Sequence, residues 1–224
     1  MHILLKRTTF VCCKKKNIMK GTKGSETKAL IRETAFKQFL TKDYSMVPLK
    51  DIEKSLNLSR GCMSYHYPTK QELFIDVIDQ YILRKQDVDN KLQTSKAMSL
   101  YEFIEHYIVN VERTMNYLTQ FILPEAKTNG TRAYMNLILQ AEKFYPNFTK
   151  ETTIITQKEL LLWERILKQA QNEGEINKQY DCRYLAKQFK YLFFGQSYND
   201  ALENGLNIPE LKKQFIFIYN LIKI

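Results

Sequence analysis

From residue 26 onward, apolar positions recur at three- and four-residue spacing, and no stretch alternates as a half-buried strand would. Ala29, Leu30, Ala35, Phe36 and Phe39 mark one face of a first helix over about 26–41. A short helix at about 48–56 carries Leu49, Ile52 and Leu56 on one side. Pro48 suits its first turn, where the missing amide would be unpaired in any case. Asn57-Leu58-Ser59 follows as a tight turn, and Ser59 can cap a helix of about 60–66. Pro68 restrains the residue before it, so that helix must stop near Tyr67. Thr69-Lys70-Gln71-Glu72 is a capping-box pattern. It opens a helix to about residue 90 with the stripe Leu73, Phe74, Val77, Ile78, Tyr81 and Ile82. Ser99-Leu100-Tyr101-Glu102 repeats the signal and starts a helix to about residue 118. Pro124, the Thr128-Asn129-Gly130 cluster and Pro146 interrupt the pattern. A helix of about 150–172 ends before Gly174, Asp181 caps another to about 203 before Gly205, and Pro209 opens a last one. The predicted fold class is all-α, with about ten helices and no repeat period.

Composition narrows the class further. Only 7 Gly and 5 Pro in 224 residues, with 44% apolar residues, exclude a loop-rich β fold, a collagenous chain or a disordered one. No apolar run approaches the roughly 18–20 residues of a membrane span, so no membrane partner and a cytoplasmic location are expected. Cys12, Cys13, Cys62 and Cys182 have no zinc spacing and form no disulfide framework; reduced thiols fit the same compartment. The opening MHILLKRTTFVCCKKK resembles a leader only superficially, because Lys6 and Arg7 break its apolar stretch and Lys14 to Lys16 occupy the cleavage region. Met19 is followed by a polar lead-in to the first helix, so the sequence offers two starts, Met1 and Met19. Residues 1–24 are read as a basic tail, 25–85 as one domain and 86–224 as a second.

Charge is distributed unevenly between these parts. Residues 1–75 hold 15 Lys or Arg against 6 Asp or Glu, whereas the remaining 149 hold 19 against 18. A basic head on a near-neutral body points to a polyanionic partner. Without residues 1–18 the head keeps a net charge of +4, so the argument from charge is modest and the helices must carry the rest.

Two short helices joined by a three-residue turn, with a supporting helix before them, make a helix-turn-helix over 48–67. In its second helix, RGCMSYH, only Met63 is plainly apolar, and Arg60, Ser64, Tyr65 and His66 can reach phosphates or base edges. The stretch LNLSRGCMSYHYPTKQEL, residues 56–73, resembles the signature of the tetracycline-repressor (TetR) family of transcriptional regulators. Ile31, Ala35 and Phe39 match that family's first helix, Tyr44 its following loop and Ile52 its second helix. The likeness is detailed over about 25–80. There are departures: Glu53 stands for the usual Ala, Asn57 for the turn Gly, Val47 and Pro48 for a hydroxyl pair, and Ser64 for a Tyr. Asn is the non-Gly residue that best tolerates a left-handed turn.

The resemblance implies a dimeric repressor that binds a near-palindromic operator in double-stranded DNA and is released by a small-molecule effector. Position by position it implies phosphate contacts from Lys50, His66 and Lys70, and base reading by Arg60, Gly61 through its backbone, Cys62, Ser64 and Tyr65. Tyr67 aligns with a core Phe and reads as structural. The last two helices would form the homodimer interface through Leu185, Phe189, Leu192, Phe193, Leu211, Phe215, Ile218, Tyr219 and Ile222. Tyr107, Val111, Met115, Phe121, Tyr134, Leu137, Phe144 and Trp163 would line an effector pocket suited to an apolar or aromatic molecule. An all-α enzyme and a helical adaptor are the competing readings. His2, His66 and His106 are scattered, no phosphate loop appears, and Glu102 with His106 lacks a second motif to complete a metal site. No cofactor is expected.

Overall fold

The computed structural model describes residues 22–87, 98–122 and 125–224. The expectations about residues 1–21, including the two starts, therefore lie outside the described residues. Among the described residues the chain is helical apart from turns and one isolated bridge between Ile176 and Lys223. The helices are α1 Thr22–Thr41, α2 Leu49–Ser55, α3 Arg60–His66, α4 from Lys70, α5 Leu100–Thr119, α6 Gly130–Phe144, α7 Phe148–Asn172, α8 Cys182–Leu202 and α9 Ile208–Ile222. α4 runs as an ordinary helix over Lys70–Ile78, widens into a π-helical turn at Asp79–Leu83 and resumes over Arg84–Gln86.

Local chemistry sets most helix ends. Ser59 accepts a hydrogen bond from the Cys62 amide, Thr69 from the Glu72 amide, and Asp181 from the amides of Arg183 and Tyr184. Ser99 and Glu102 form a complete capping box. Glu102 is thus committed to a helix end rather than to a site with His106. Pro48 sits at the N-cap of α2, one place before its first turn. Asn57 turns the chain at φ 52, the left-handed conformation for which the usual residue is Gly. Asn147, at φ 65, does the same after Pro146 and starts α7 slightly earlier than periodicity suggested.

The buried apolar side chains form two clusters. The first joins Phe36 and Phe39 of α1, Ile52 of α2, Met63 of α3 and Phe74 and Ile78 of α4 to Leu118, Leu137, Ala141 and Phe148 of the helices that follow. α6 therefore packs against the N-terminal helices as one of their own. Its far end completes the join: Phe144 stacks on Tyr44 at 4.2 Å, the Phe144 carbonyl accepts from Gln71 Nε2 at 3.1 Å, and Tyr145 donates its hydroxyl proton to Asp79 Oδ1 at 2.7 Å. Gln140 accepts from the Tyr44 amide.

The second cluster lies among α5, α7, α8 and α9. Trp163 stacks on Phe189 at 4.7 Å and meets Phe103 edge-on at 4.7 Å, while Phe189 and Phe215 lie 5.2 Å apart. Its far end is closed by buried Ile176, beside Glu175, whose carboxylate accepts from the Leu100 and Tyr101 amides at 2.8 and 3.1 Å.

These contacts place the residues expected at the interface. Leu185, Phe189, Leu211, Phe215 and Ile222 are buried in the chain's own core, and Leu192, Phe193, Ile218 and Tyr219 pack partly buried against it. The outward faces carry Tyr184, Tyr191, Phe194, Tyr198 and Leu202 on α8 and Phe217 and Leu221 on α9. Both helices are apolar on two sides, so spacing alone does not say which side meets the core.

Phe189→Ala should cost about 3–5 kcal/mol, because it opens a cavity between Trp163 and Phe215. Urea unfolding checks this as a lower midpoint at unchanged slope.

Candidate nucleic-acid interface

α3 is seven residues long and has one buried side chain, Met63, which fixes it to the first core cluster. Arg60, Gly61, Ser64 and Tyr65 share the opposite face by helical spacing, and all four are exposed, Tyr65 at 82%. A Cβ built on Gly61 would meet nothing within 4 Å, so this face is open to a close backbone approach. Cys62 and His66 lie half-buried on its flanks, with the Tyr65 and His66 rings edge-to-face at 5.1 Å. Burial, and then the charge of Lys28, hold the His66 imidazole below its ordinary pKa of 6.5, so near neutral pH it offers one N–H and no charge. Lys50 is exposed on α2, which packs against α3. Glu53 is partly exposed on α2.

Lys70 is placed differently from the expectation. Its ammonium donates to the Tyr44 carbonyl at 2.8 Å and lies 4.2 Å from the centre of the Tyr44 ring. Burial lowers its pKa. Its long side chain folds inward onto the loop because that loop offers both an oxygen and a ring face within reach.

Sequence reading missed the group that holds the other end of α3. Tyr67, 2% exposed, ends that helix and donates its hydroxyl proton to Asp76 Oδ2 at 2.6 Å. Arg32 Nη1 reaches both Asp76 oxygens at 3.3 Å, and Lys28 Nζ lies 3.6 Å from Oδ2 and 5.2 Å from the centre of the Tyr67 ring. Burial alone would raise the Asp76 pKa; the Tyr67 hydrogen bond and the charges of Arg32 and Lys28 outweigh it and hold the carboxyl below its ordinary value of 3.8. Burial and the same carboxylate push the Tyr67 hydroxyl far above its ordinary range, so it stays a proton donor. The one sequence signal was a Tyr where the resembling pattern has Phe.

Of the residues expected to line an effector pocket, Trp163, Tyr107, Val111 and Leu137 are buried core. The Tyr107 hydroxyl donates to Glu159 at 3.1 Å, and Glu159 pairs with buried Lys190 at 3.2 Å. Phe121, Tyr134 and Phe144 are partly buried against the first cluster. Met115 does line a cleft of about 570 Å³, together with Asn116 and Thr119 of α5, Asn129 and Thr131 at the start of α6, and Asn207 before α9. Tyr107, Trp163 and Phe144 each pack against neighbouring rings at ordinary distances. Among the described residues no three His, Cys, Asp or Glu side chains group as a metal site, and no helix is long and apolar enough to cross a membrane.

Residues 31–77 match the family model described as bacterial regulatory proteins, tetR family. The chain is 23% identical over 193 residues to a Bacillus subtilis (strain 168) protein described as the uncharacterized HTH-type transcriptional regulator YvaF, a match that covers 82% of this chain and 96% of that one. A TetR-family transcriptional regulator from Cytophaga hutchinsonii shares the fold at a TM-score of 0.65 and 16% identity, over 92% of this chain and 99% of its own. A transcriptional regulator from Saccharomonospora viridis, solved in complex with choline, does so at 0.62 and 18% identity, over 89% and 99%. The open face of α3, the helix-turn-helix that supports it and the matched residues 31–77 together make this chain a transcriptional regulator that resembles the TetR family, with that family's DNA-binding domain at its N-terminal end.

Proposed function

We propose that the chain is a dimeric repressor that reads a near-palindromic operator with α3 and releases it when a small molecule binds the body. The observation that carries this is the division of α3 into one anchoring residue, Met63, and a polar outward face of Arg60, Gly61, Ser64 and Tyr65. Such a helix fits the major groove, where Arg can pair with guanine in two hydrogen bonds and Tyr and Ser can reach base edges or phosphates. His66 and Cys62 flank that face, and Lys50 supplies a cation on the neighbouring helix.

Two copies would meet through the outward faces of α8 and α9, where Tyr184, Tyr191, Tyr198 and Phe217 are each more than 60% exposed. Large apolar and aromatic side chains exposed together on two packed helices favour an interaction site. A four-helix contact about a two-fold axis would cover it and set two α3 helices on one side of the duplex, with half-sites about one helical turn apart or a multiple of it.

Release would use α6. It begins at the Met115 cleft and ends on the Tyr44 loop and α4, so a ligand seated at its start would act on the head through a single rigid helix. The Saccharomonospora viridis neighbour is a regulator bound to a small molecule, which supports an effector here. The amide-rich walls of the cleft favour a polar ligand over the apolar one suggested by aromatic content. Differential affinity for the two states of the head is what would make such a ligand an effector.

Binding to specific and scrambled duplexes across a salt series tests the reading. Arg60→Ala should cost about 1–3 kcal/mol on the specific duplex and relax preference at one position in each half-site. Lys50→Ala should weaken both duplexes and flatten the salt slope by roughly one unit, whereas Lys70→Ala, its ammonium being engaged with Tyr44, should leave the slope unchanged. If neither Arg60→Ala nor Lys50→Ala alters binding, α3 is not the reading element.

The dimer is tested separately. Tyr191→Glu together with Phe217→Glu should give a folded monomer by light scattering at micromolar concentration, since both side chains are 61% exposed in the single chain. A monomeric wild type would overturn the interface.

A further inference from the structure

α3 cannot orient itself. Seven residues are too few for a self-sustaining helix, and its one buried side chain, Met63, pins a point rather than a direction. Its N-terminal end is set by Ser59, and its C-terminal end by whatever holds Tyr67. The Tyr67 ring is buried, and apolar packing around it lacks the directionality of a hydrogen bond. Its hydroxyl is fixed to Asp76 of α4, and Asp76 is fixed in turn by Arg32 and Lys28, one helical turn apart on α1. Three elements therefore meet at one carboxylate.

We propose that Tyr67 and Arg32, joined at the Asp76 carboxylate, are positioning residues for sequence reading: they fix the angle at which α3 offers Arg60, Ser64 and Tyr65 to the base edges. The proposal rests on the DNA-binding reading above and adds to it the group that makes binding selective. Base-edge hydrogen bonds require heavy atoms within about 2.7–3.2 Å and good alignment, so a small rotation of α3 loses them. Phosphate contacts from exposed lysines tolerate the same rotation, because a flexible ammonium can follow the oxygen. Loosening the network should thus reduce selectivity and leave general DNA affinity in place. A purely structural role would lower the melting temperature and leave selectivity alone.

The test begins by selecting a duplex from a random-sequence pool with the wild-type full chain. Affinity for that duplex and for a scrambled one is then measured at several salt concentrations for the wild type, Tyr67→Phe and Arg32→Lys, alongside thermal melting followed by circular dichroism. Tyr67→Phe keeps the ring and removes the donor; Arg32→Lys keeps the charge and replaces the planar guanidinium, whose Nη1 reaches both Asp76 oxygens, with a flexible ammonium. The expected result is a fall of roughly tenfold in the ratio of specific to scrambled affinity for each variant, the size of a lost base contact, with the salt slope and the scrambled affinity unchanged. An unchanged ratio in both variants overturns the proposal. Equal weakening on both duplexes with a flatter slope for Arg32→Lys also overturns it, since Arg32 would then be a phosphate contact. Should Tyr67→Phe fail to fold, Arg32→Lys decides by the same ratio, and failure of both to fold assigns the network to stability alone and overturns the proposal. If the wild type enriches no duplex, the DNA-binding reading itself falls, an outcome distinct from a wild type that selects and variants that select equally well.

Discussion

The Asp76 carboxylate is the point on which the arrangement of the N-terminal helices turns. It is about one-fifth exposed and receives a tyrosine proton, a guanidinium and an ammonium from two other elements. Burial penalises its charge, and the Tyr67 hydrogen bond with the charges of Arg32 and Lys28 outweighs that penalty. Apolar packing of Phe36, Phe39, Phe74 and Ile78 would bring α1 and α4 together without it. Packing of that kind is not directional. The hydrogen bond from Tyr67 is, and it connects the supporting helices to the end of the short helix that faces outward.

A second dependence runs through α6. This helix supplies Leu137 and Ala141 to the same apolar cluster as the helix-turn-helix, so head and body share a core rather than touching across a seam. At its far end Phe144 and Gln140 clasp the Tyr44 loop, and Tyr145 clasps Asp79 at the start of the π-helical turn in α4. A π-turn leaves the usual backbone hydrogen-bond ladder out of register, and such turns recur at functional places in helices. The Tyr145 contact falls at the first residue of this turn, Asp79. α6 therefore holds α4 and the Tyr44 loop together.

The sequence by itself determined the helical class, most helix ends and the helix-turn-helix. Spacing of three and four residues has no strand interpretation, and Ser59, Thr69, Ser99 and Asp181 cap helices through hydrogen bonds to residues two or three positions away. Asn57 could be read as the left-handed turn for the same local reason. Of the α3 residues read as facing outward, Arg60, Gly61, Ser64 and Tyr65 are exposed because Met63 alone anchors the helix, whereas Cys62 and His66 lie half-buried on the flanks.

Only the tertiary structure decided the rest, because it depends on residues far apart in the chain or on a choice between equal faces. Arg32 and Asp76 are 44 positions apart, Tyr44 and Gln140 are 96 apart, and no local pattern pairs them. Lys70 donates to the Tyr44 carbonyl, 26 residues earlier, a contact that no local pattern indicates. α8 and α9 carry apolar residues on two sides, so periodicity named Phe189 and Phe215 for an interface when they fill the core, and left Tyr191 and Phe217 unmentioned on the outside. A helix records in its sequence that a face is apolar; what covers that face is settled only by the elements packed around it.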